Sequence, residues 1–306
     1  MNKNRKKMAT SNPEYREIIE RSRFFQNIQA WPLDEDIDYK GWLRNFKKGT
    51  EYEIACSILD FFVHFSSKMV NQMLRASVSK AGYIFQEKFK DWDHSNFNDR
   101  CFYSFIPGET EHPTDSGNLF TRKLRDELGV SEDQIIAYQE LYNIPTESPI
   151  IFVDDFVGSG AQVYKAWNKN IITRGLTLKE YCKNESHCAV YAPLIVNYKG
   201  NKVITKNCAG LNLCAAHILG PEYNLFDKDC ICWKKDYKLF RKGTSLILSK
   251  SKALGIPSTD GHDTQDEKGY DKQGLAISFE HGAPDAIPAF FYWKSENWTP
   301  LIRKNY

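Results

Sequence analysis

The spacing of apolar residues is helical over the first third of the chain. A proline at residue 13, preceded by Ser11 and Asn12 and followed by Glu14, is typical of a helix start. The apolar stripe of this helix, which ends before Trp31-Pro32, consists of Ile18, Phe24, Phe25 and Ile28. A longer stripe predicts a single amphipathic core helix, and its members are Ile54, Ile58, Phe61, Phe62, Phe65, Met69 and Met73.

The pattern changes near residue 98, where short apolar runs begin to alternate with helical segments. Residues 101–106 are predicted to form a strand, 107–118 a loop rich in Pro, Gly, Thr and Asp, and 119–128 a helix closed by Gly129. Ser131 and Gln134 have the spacing of a capping box at the start of a short helix.

Further strands are predicted at 149–153, 188–196, 211–219 and 275–280. Strands that alternate with helices favour an α/β fold with a mostly parallel sheet. We therefore predict a helical N-terminal region at residues 1–97 and an α/β domain at residues 98–306.

Composition narrows the class of protein without indicating its chemistry. The 306 residues are 42% hydrophobic and 26% charged, which is typical of a soluble globular protein and excludes a disordered or collagen-like chain. Lys and Arg number 41 against 39 Asp and Glu, a balance too even to require a polyanionic partner. The basic N-terminus is not followed by an apolar run, so the sequence predicts a cytoplasmic protein without a membrane span.

The strongest chemical feature follows the strand predicted at 149–153. Asp154 and Asp155 come directly after this apolar run, a Gly158-Ser159-Gly160 turn follows, and a helix is predicted to start at Ala161. Ligands of open α/β sheets bind beyond the carboxyl ends of the strands, and glycines at a helix N-terminus allow a phosphate to approach the backbone. A plain alternative is that the acids cap a helix and the glycines only make a turn.

The order of these parts resembles the phosphoribosyl pyrophosphate motif of type I phosphoribosyltransferases, with Ser159 and Gln162 where that family usually has threonines. The resemblance implies that Asp154 and Asp155 bind the 2- and 3-hydroxyls of a ribose. It also implies that the 5-phosphate is bound by Gly158, Ser159, Gly160, Ala161 and Gln162. Carboxylates beside the ribose would stabilise its oxocarbenium-like transition state, and Mg²⁺ held through the ligand would bridge the pyrophosphate.

A pyrophosphate needs a second anion-binding loop at the same edge of the sheet. The loop at 107–118 is the best candidate, with Ser116, Gly117 and Asn118 nearest to the predicted helix start. Three acids in this loop, Glu109, Glu111 and Asp115, leave an ordinary surface loop as an equal alternative.

The C-terminal region carries a second resemblance. A His281-Gly-Ala-Pro stretch is followed by Trp298-Thr-Pro-Leu, and with the acid pair this resembles the phosphoribosyltransferase-like (PRTase-CE-like) domain of bacterial conflict and antiphage systems. The resemblance implies a defence effector, acting with a protein or nucleic-acid partner. His281 would then line the nucleobase side of the pocket, although a structural histidine is the commoner case.

Cysteines and basic residues leave alternatives open. Four of the eight cysteines, Cys208, Cys214, Cys230 and Cys232, lie close in sequence, but buried free thiols are favoured over a zinc site because no Cys-x-x-Cys occurs. The basic run from Lys234 to Lys252 is typical of a solvated face, or it contacts phosphate or nucleic acid.

The sequence supports two main hypotheses about function and one lesser hypothesis. The first is a phosphoribosyltransferase-like glycosyltransferase that acts on phosphoribosyl pyrophosphate or a nucleotide. The second is a non-catalytic nucleotide-binding module that senses a nucleotide or controls a partner. The lesser one is docking of nucleic acid through the basic tail at Lys3 to Lys7.

Overall fold

The computed structural model describes residues 13–32, 36–108, 116–173 and 175–303. Its α-helices are α1 (Pro13–Asn27), α2 (Tyr39–Arg44), α3 (Thr50–Phe61), α4 (Ser67–Lys88), α5 (Phe97–Arg100), α6 (Ser116–Leu128), α7 (Ala161–Asn168), α8 (Leu178–Asn184), α9 (Tyr198–Asn207) and α10 (Tyr237–Ala253). Its strands are β1 (Val63–Phe65), β2 (Phe102–Phe105), β3 (Pro149–Val157), β4 (Ile171–Thr173), β5 (Leu176–Thr177), β6 (Cys188–Asn197), β7 (Leu211–Leu213), β8 (His217–Leu219) and β9 (Ile277–Phe279). Within the described residues, no helix is long and apolar enough to cross a membrane.

The chain divides into two compact units. Unit 1 contains residues Met1–Ser67 and Pro221–Tyr306, and unit 2 contains Lys68–Gly220. The sequence-based boundary between residues 97 and 98 falls inside unit 2, and that division into domains stays a prediction.

Unit 2 is built on a parallel sheet, as the sequence predicts. Its strand order is β2-β3-β6-β7, and β8 also pairs with β6. All of these pairings are parallel, with Phe105 opposite Val153 and Asp154 opposite Pro193. Parallel strands end at the same edge of a sheet, so the carboxyl ends of β2, β3 and β6 form one edge.

Helices cover one face of this sheet, and a hydrophobic core lies between these helices and the strands. Alternate residues of β3 and β6, among them Phe152 and Tyr191, point to this face and pack against Trp167 of α7 and Ile204 of α9. Both faces of β6 are buried along its whole length, which is why its sequence is apolar without alternation.

Three local expectations in unit 2 need correction. The stretch at 211–219 is two short strands, because β7 pairs with residues 189–191 of β6 and β8 with residues 195–197 of the same strand. Ser131 does precede a short 3₁₀ helix, Glu132–Gln134, but its side chain makes no capping hydrogen bond. The helix that was predicted at 119–128 starts earlier, at Ser116, and ends before Gly129 as predicted. The φ of +71° at Gly129 lies in the left-handed region that glycine favours.

The largest correction concerns residues 54–73, where the prediction of a single helix was wrong. The chain forms α3, then β1, then α4. Residues Val63, His64 and Phe65 pair in parallel with Ile277, Ser278 and Phe279 of β9. A partner that is more than 200 positions away therefore overrides the helical spacing of this stretch, helped by the β propensity of valine and phenylalanine.

Unit 1 also contains α1, α2 and α10, and it has an aromatic core. Helix α1 starts at Pro13 as predicted, whereas Ser11 and Asn12 lie outside the described residues. The ring of Trp42 stacks on that of Phe291 at 6.1 Å between centroids, and Phe46 meets Trp298 edge to face at 5.6 Å. Residues near the two ends of the sequence thus share one core.

Candidate functional site

The acid pair lies near the carboxyl end of β3. The strand does not stop at the acids but continues to Val157, opposite Val196 of β6. Because side chains alternate along a strand, Asp154 points to the same face as Phe152, and Asp155 points to the other face. The two adjacent acids therefore have different surroundings.

Asp154 is buried, with 7% of its surface exposed. Its Oδ2 accepts a hydrogen bond from the Tyr191 hydroxyl at 2.7 Å, and its Oδ1 accepts one from the backbone N–H of Asp155 at 2.9 Å. Burial, followed by the charge of Asp155, raises the pKa of Asp154 well above its usual range, although the Tyr191 hydroxyl opposes the shift. Burial also raises the pKa of Tyr191, which keeps its proton and remains a donor.

Asp155 is more accessible than Asp154. Its side chain is half-buried, and its Oδ1 accepts a hydrogen bond from the backbone N–H of Phe156 at 2.9 Å. A carboxylate at this edge of a parallel sheet is in the position where ligands of α/β folds bind. The structure thus provides one buried and one accessible acid.

The predicted turn at residues 158–160 leads directly into α7. Gly160 precedes the helix with a φ of +78°, in the left-handed region that glycine adopts without strain. The carbonyl of Gly160 accepts a hydrogen bond from the Tyr164 N–H at 2.9 Å, and the Ser159 hydroxyl oxygen accepts one from the Ala161 N–H at 3.3 Å. The turn and the first residues of α7 thus form a compact loop at the sheet edge.

This loop packs tightly against α9 through a second glycine. A Cβ atom built on Gly200 would lie 2.7 Å from the carbonyl oxygen of Gly158 and 2.8 Å from Cγ1 of Val157. A Cβ built on Gly160 would lie 3.0 Å from the Cα of Gly200. Only glycine fits at residue 200, so α9 supports the loop from behind.

Gln162 connects the loop to the end of β2. Its Nε2 donates hydrogen bonds to the backbone carbonyls of Ile106 and Pro107, both at 3.1 Å. The side-chain amide therefore fixes the start of the segment that follows β2. The phosphate-binding role predicted for residues 158–162 stays a prediction, and in this structure the Gln162 amide has a structural partner.

The start of α6 lies at the same edge of the sheet. A Cβ built on Gly117 would lie 2.2 Å from Cδ2 of Phe105, the last residue of β2. Phe105 pairs with Val153, which immediately precedes Asp154, so the structure brings the start of α6 and the acid pair to one edge. Asn118 is exposed there, and its carbonyl accepts a hydrogen bond from the Thr121 hydroxyl at 2.9 Å. Ser116 is the first residue of the helix, and residues 109–115 lie outside the described part of the chain.

His281 belongs to unit 1, whereas the acid pair belongs to unit 2. Its imidazole is exposed and stacks on the ring of Phe279 at 5.0 Å between centroids. Its assignment to a base pocket stays a prediction.

The side chains available as ligands can be compared with the Mg²⁺ that the resemblance implies. In the described part of the chain, no three His, Cys, Asp or Glu side chains come close enough to hold a metal ion. One accessible carboxylate beside a buried one fits Mg²⁺ that takes most of its oxygen ligands from a diphosphate and water. The eight cysteines are buried free thiols, and burial raises the pKa of Cys56 and Cys182 to about 12.

Sequence reasoning found the acid pair and the glycine turn but missed Tyr191 and Gly200. Tyr191 reaches Asp154 only through the register of β6 against β3, which no local pattern reveals. A glycine inside a helix costs about 1 kcal/mol relative to alanine and often marks close packing, but the sequence analysis predicted no helix at residues 198–207, so Gly200 was not singled out.

A comparison with protein families matches residues 39–304 to the family described as PRTase-CE. No curated protein and no solved structure matches the chain.

Proposed function

Because the chain belongs to the PRTase-CE family of phosphoribosyltransferase-like domains, we propose that it is an enzyme that binds phosphoribosyl pyrophosphate or a nucleotide together with Mg²⁺. The observation that supports this most directly is the order of strand, acid pair, glycine turn and helix start at one edge of the sheet. An acid pair lies near the carboxyl end of a parallel strand, and a glycine turn then enters a helix N-terminus. Backbone N–H groups at such a turn favour a phosphate.

In this proposal the accessible carboxylate of Asp155 accepts hydrogen bonds from a ribose hydroxyl. Asp154 contacts the neighbouring hydroxyl and is oriented by Tyr191 at 2.7 Å. Residues 158–162 surround the 5-phosphate, and Ser116, Gly117 and Asn118 at the start of α6 face the pyrophosphate.

The chemistry requires no nucleophilic side chain. Departure of the pyrophosphate leaves a cationic, oxocarbenium-like ribose, and fixed carboxylates stabilise the developing positive charge. When bound, Mg²⁺ would neutralise the charge on the leaving pyrophosphate.

Isothermal titration of the full chain with phosphoribosyl pyrophosphate and MgCl₂ tests the binding step. We expect heat from the wild type and none from Asp154→Asn/Asp155→Asn. Asp133→Asn is the matched control, since this carboxylate is exposed and lies outside the site. No heat from the wild type, or equal binding by the double variant, would contradict the proposal.

We further propose that the enzyme is an effector in bacterial antiphage defence, on the basis of the C-terminal resemblance. Induced expression followed by metabolite profiling should show a nucleotide or phosphoribosyl compound that is consumed by the wild type and spared by the double variant. Toxicity that is the same for both proteins would contradict an effector role for this site.

The alternative is a nucleotide-binding regulatory module without turnover. The bond from Gln162 to the Ile106 and Pro107 carbonyls favours it, because an amide held in this way is not available to the phosphate where the type I enzymes have a threonine. Binding in the titration without any change in the metabolite pool supports the module, whereas consumption of a nucleotide supports the enzyme.

A further inference from the structure

A cleft in unit 1 carries a concentration of positive charge that the proposed function does not use. It lies between α3 and α10 and has a volume of about 800 Å³. Its lining includes Glu51 of α3 and Tyr237, Lys238, Arg241, Lys242 and Ser245 of α10. We call this cleft the basic groove.

Packing turns the cations of α10 outward. On the inner side of the helix Leu246 and Ile247 are buried, and a Cβ built on Gly243 would lie 2.3 Å from the ring of Trp233. The helix is anchored at its start by Asp236, whose side chain accepts hydrogen bonds from the N–H groups of Lys238 and Leu239. Positions 238, 241, 242, 245 and 249 follow helical spacing, so they form one exposed face along the groove.

The positive charge in the groove is not cancelled. Lys238, Arg241 and Lys242 are exposed and form no ion pair with any residue in the described ranges. Glu51 is the one acid among the lining residues, and its Oε2 pairs with Lys250 Nζ at 3.0 Å. Burial alone would raise the pKa of Glu51, but hydrogen bonds from Lys250 and the Lys47 N–H lower it, so Glu51 stays ionised within its own ion pair.

An exposed aromatic ring lies at one end of the groove. Tyr237 is 62% exposed, and its ring contacts that of Phe240 at 5.9 Å between centroids. A tyrosine held in this way beside cations is the arrangement on which unpaired bases stack while their phosphates contact Lys and Arg. A duplex keeps its bases stacked inside, so the ring would add little to duplex binding.

We propose that the basic groove binds single-stranded nucleic acid, with phosphates on Lys238, Arg241 and Lys242 and a base on Tyr237. A 17-residue helix is about 25 Å long, which is enough for a few nucleotides. The site is separate in sequence from the acid pair and does not depend on phosphoribosyl binding.

Fluorescence anisotropy with a labelled oligothymidylate of about 15 nucleotides tests the proposal on the full chain. Three phosphate contacts predict that log Kd rises with log salt concentration with a slope of about 2. At about 0.1 M salt, Lys238→Gln/Arg241→Gln/Lys242→Gln should weaken binding by about 100-fold and flatten the salt dependence. Tyr237→Ala should weaken it by about tenfold and leave the slope unchanged.

The matched control removes three exposed lysines outside the groove and has the same net charge as the triple variant: Lys90→Gln/Lys183→Gln/Lys294→Gln. We expect this control and Asp154→Asn/Asp155→Asn to bind as the wild type does. Any of three results would overturn the proposal: no binding by the wild type, equal weakening in the lysine control, or a duplex of the same length bound as tightly as the single strand.

Discussion

The buried carboxyl of Asp154 makes the stability of the protein depend on pH in a direction opposite to that of most aspartates. Asp154 is 7% exposed, and burial raises its pKa in the folded state. In the unfolded chain an aspartate has a pKa of about 3.9. Between these two pKa values the folded protein holds one proton more than the unfolded chain, so the wild type loses stability as pH rises, by at most about 1.4 kcal/mol per pH unit.

Asp154→Asn removes this proton but retains the shape of the side chain. The amide oxygen can still accept the Asp155 N–H, and the amide nitrogen can donate to the Tyr191 hydroxyl, which then accepts. We therefore expect the free energy of unfolding of Asp154→Asn, relative to the wild type, to increase with pH above about 4 until the folded-state pKa is reached. A more stable protein with a weaker ligand site would show that the acid is retained for function.

Urea denaturation followed by tryptophan fluorescence at several pH values measures this difference. Asp133→Asn is the control, since its exposed carboxyl should give a difference that does not change with pH. A difference between Asp154→Asn and the wild type that stays constant, or that decreases as pH rises, would refute the reasoning, because it would mean that folding does not raise the pKa of Asp154.

Three further predictions follow from contacts of the site. Tyr191→Phe should lower the free energy of unfolding by about 1–2 kcal/mol in urea denaturation, because Asp154 loses a buried donor; an unchanged midpoint would contradict the bond. Gln162→Ala should speed amide hydrogen exchange just after β2 and cost about 1 kcal/mol, and unaltered exchange there would exclude a positioning role. Gly200→Ala should lower the thermal midpoint, because overpacking costs about 1–3 kcal/mol and this exceeds the gain in helix propensity from alanine, whereas the exposed control Lys206→Ala should not lower it. Equal midpoints for Gly200→Ala and the wild type would show that the loop can move to make room.

Local signals were sufficient to predict the central part of the site. The run from Ile150 to Gln162 contains its own strand, turn and helix start, so β3, the turn at Gly160 and α7 were predicted from neighbouring residues alone. The parallel sheet followed from the alternation of strands and helices.

Features that depend on distant pairing were not predictable in the same way. The helical spacing of residues 54–73 gave no indication that Val63 and Phe65 would pair with residues beyond 275. The contact between Tyr191 and Asp154 depends on strand register, and α10 was seen in the sequence only as a basic run. Which distant segments pair depends on the packing of the whole chain, so local patterns in a single sequence do not reveal it.

The pairing of β1 with β9 also sets the order in which the protein can be completed on the ribosome. All of unit 2, including the acid pair, has been synthesised once residue 220 is made, whereas β1 must wait for residues 277–279 before its ladder can form. Domains fold as units during synthesis, so the parallel sheet has its full sequence while the aromatic core shared by Trp42 and Phe291 is still incomplete. A chain truncated before β9 would therefore keep the sequence of the candidate ligand site and lose the strand that pairs with β1.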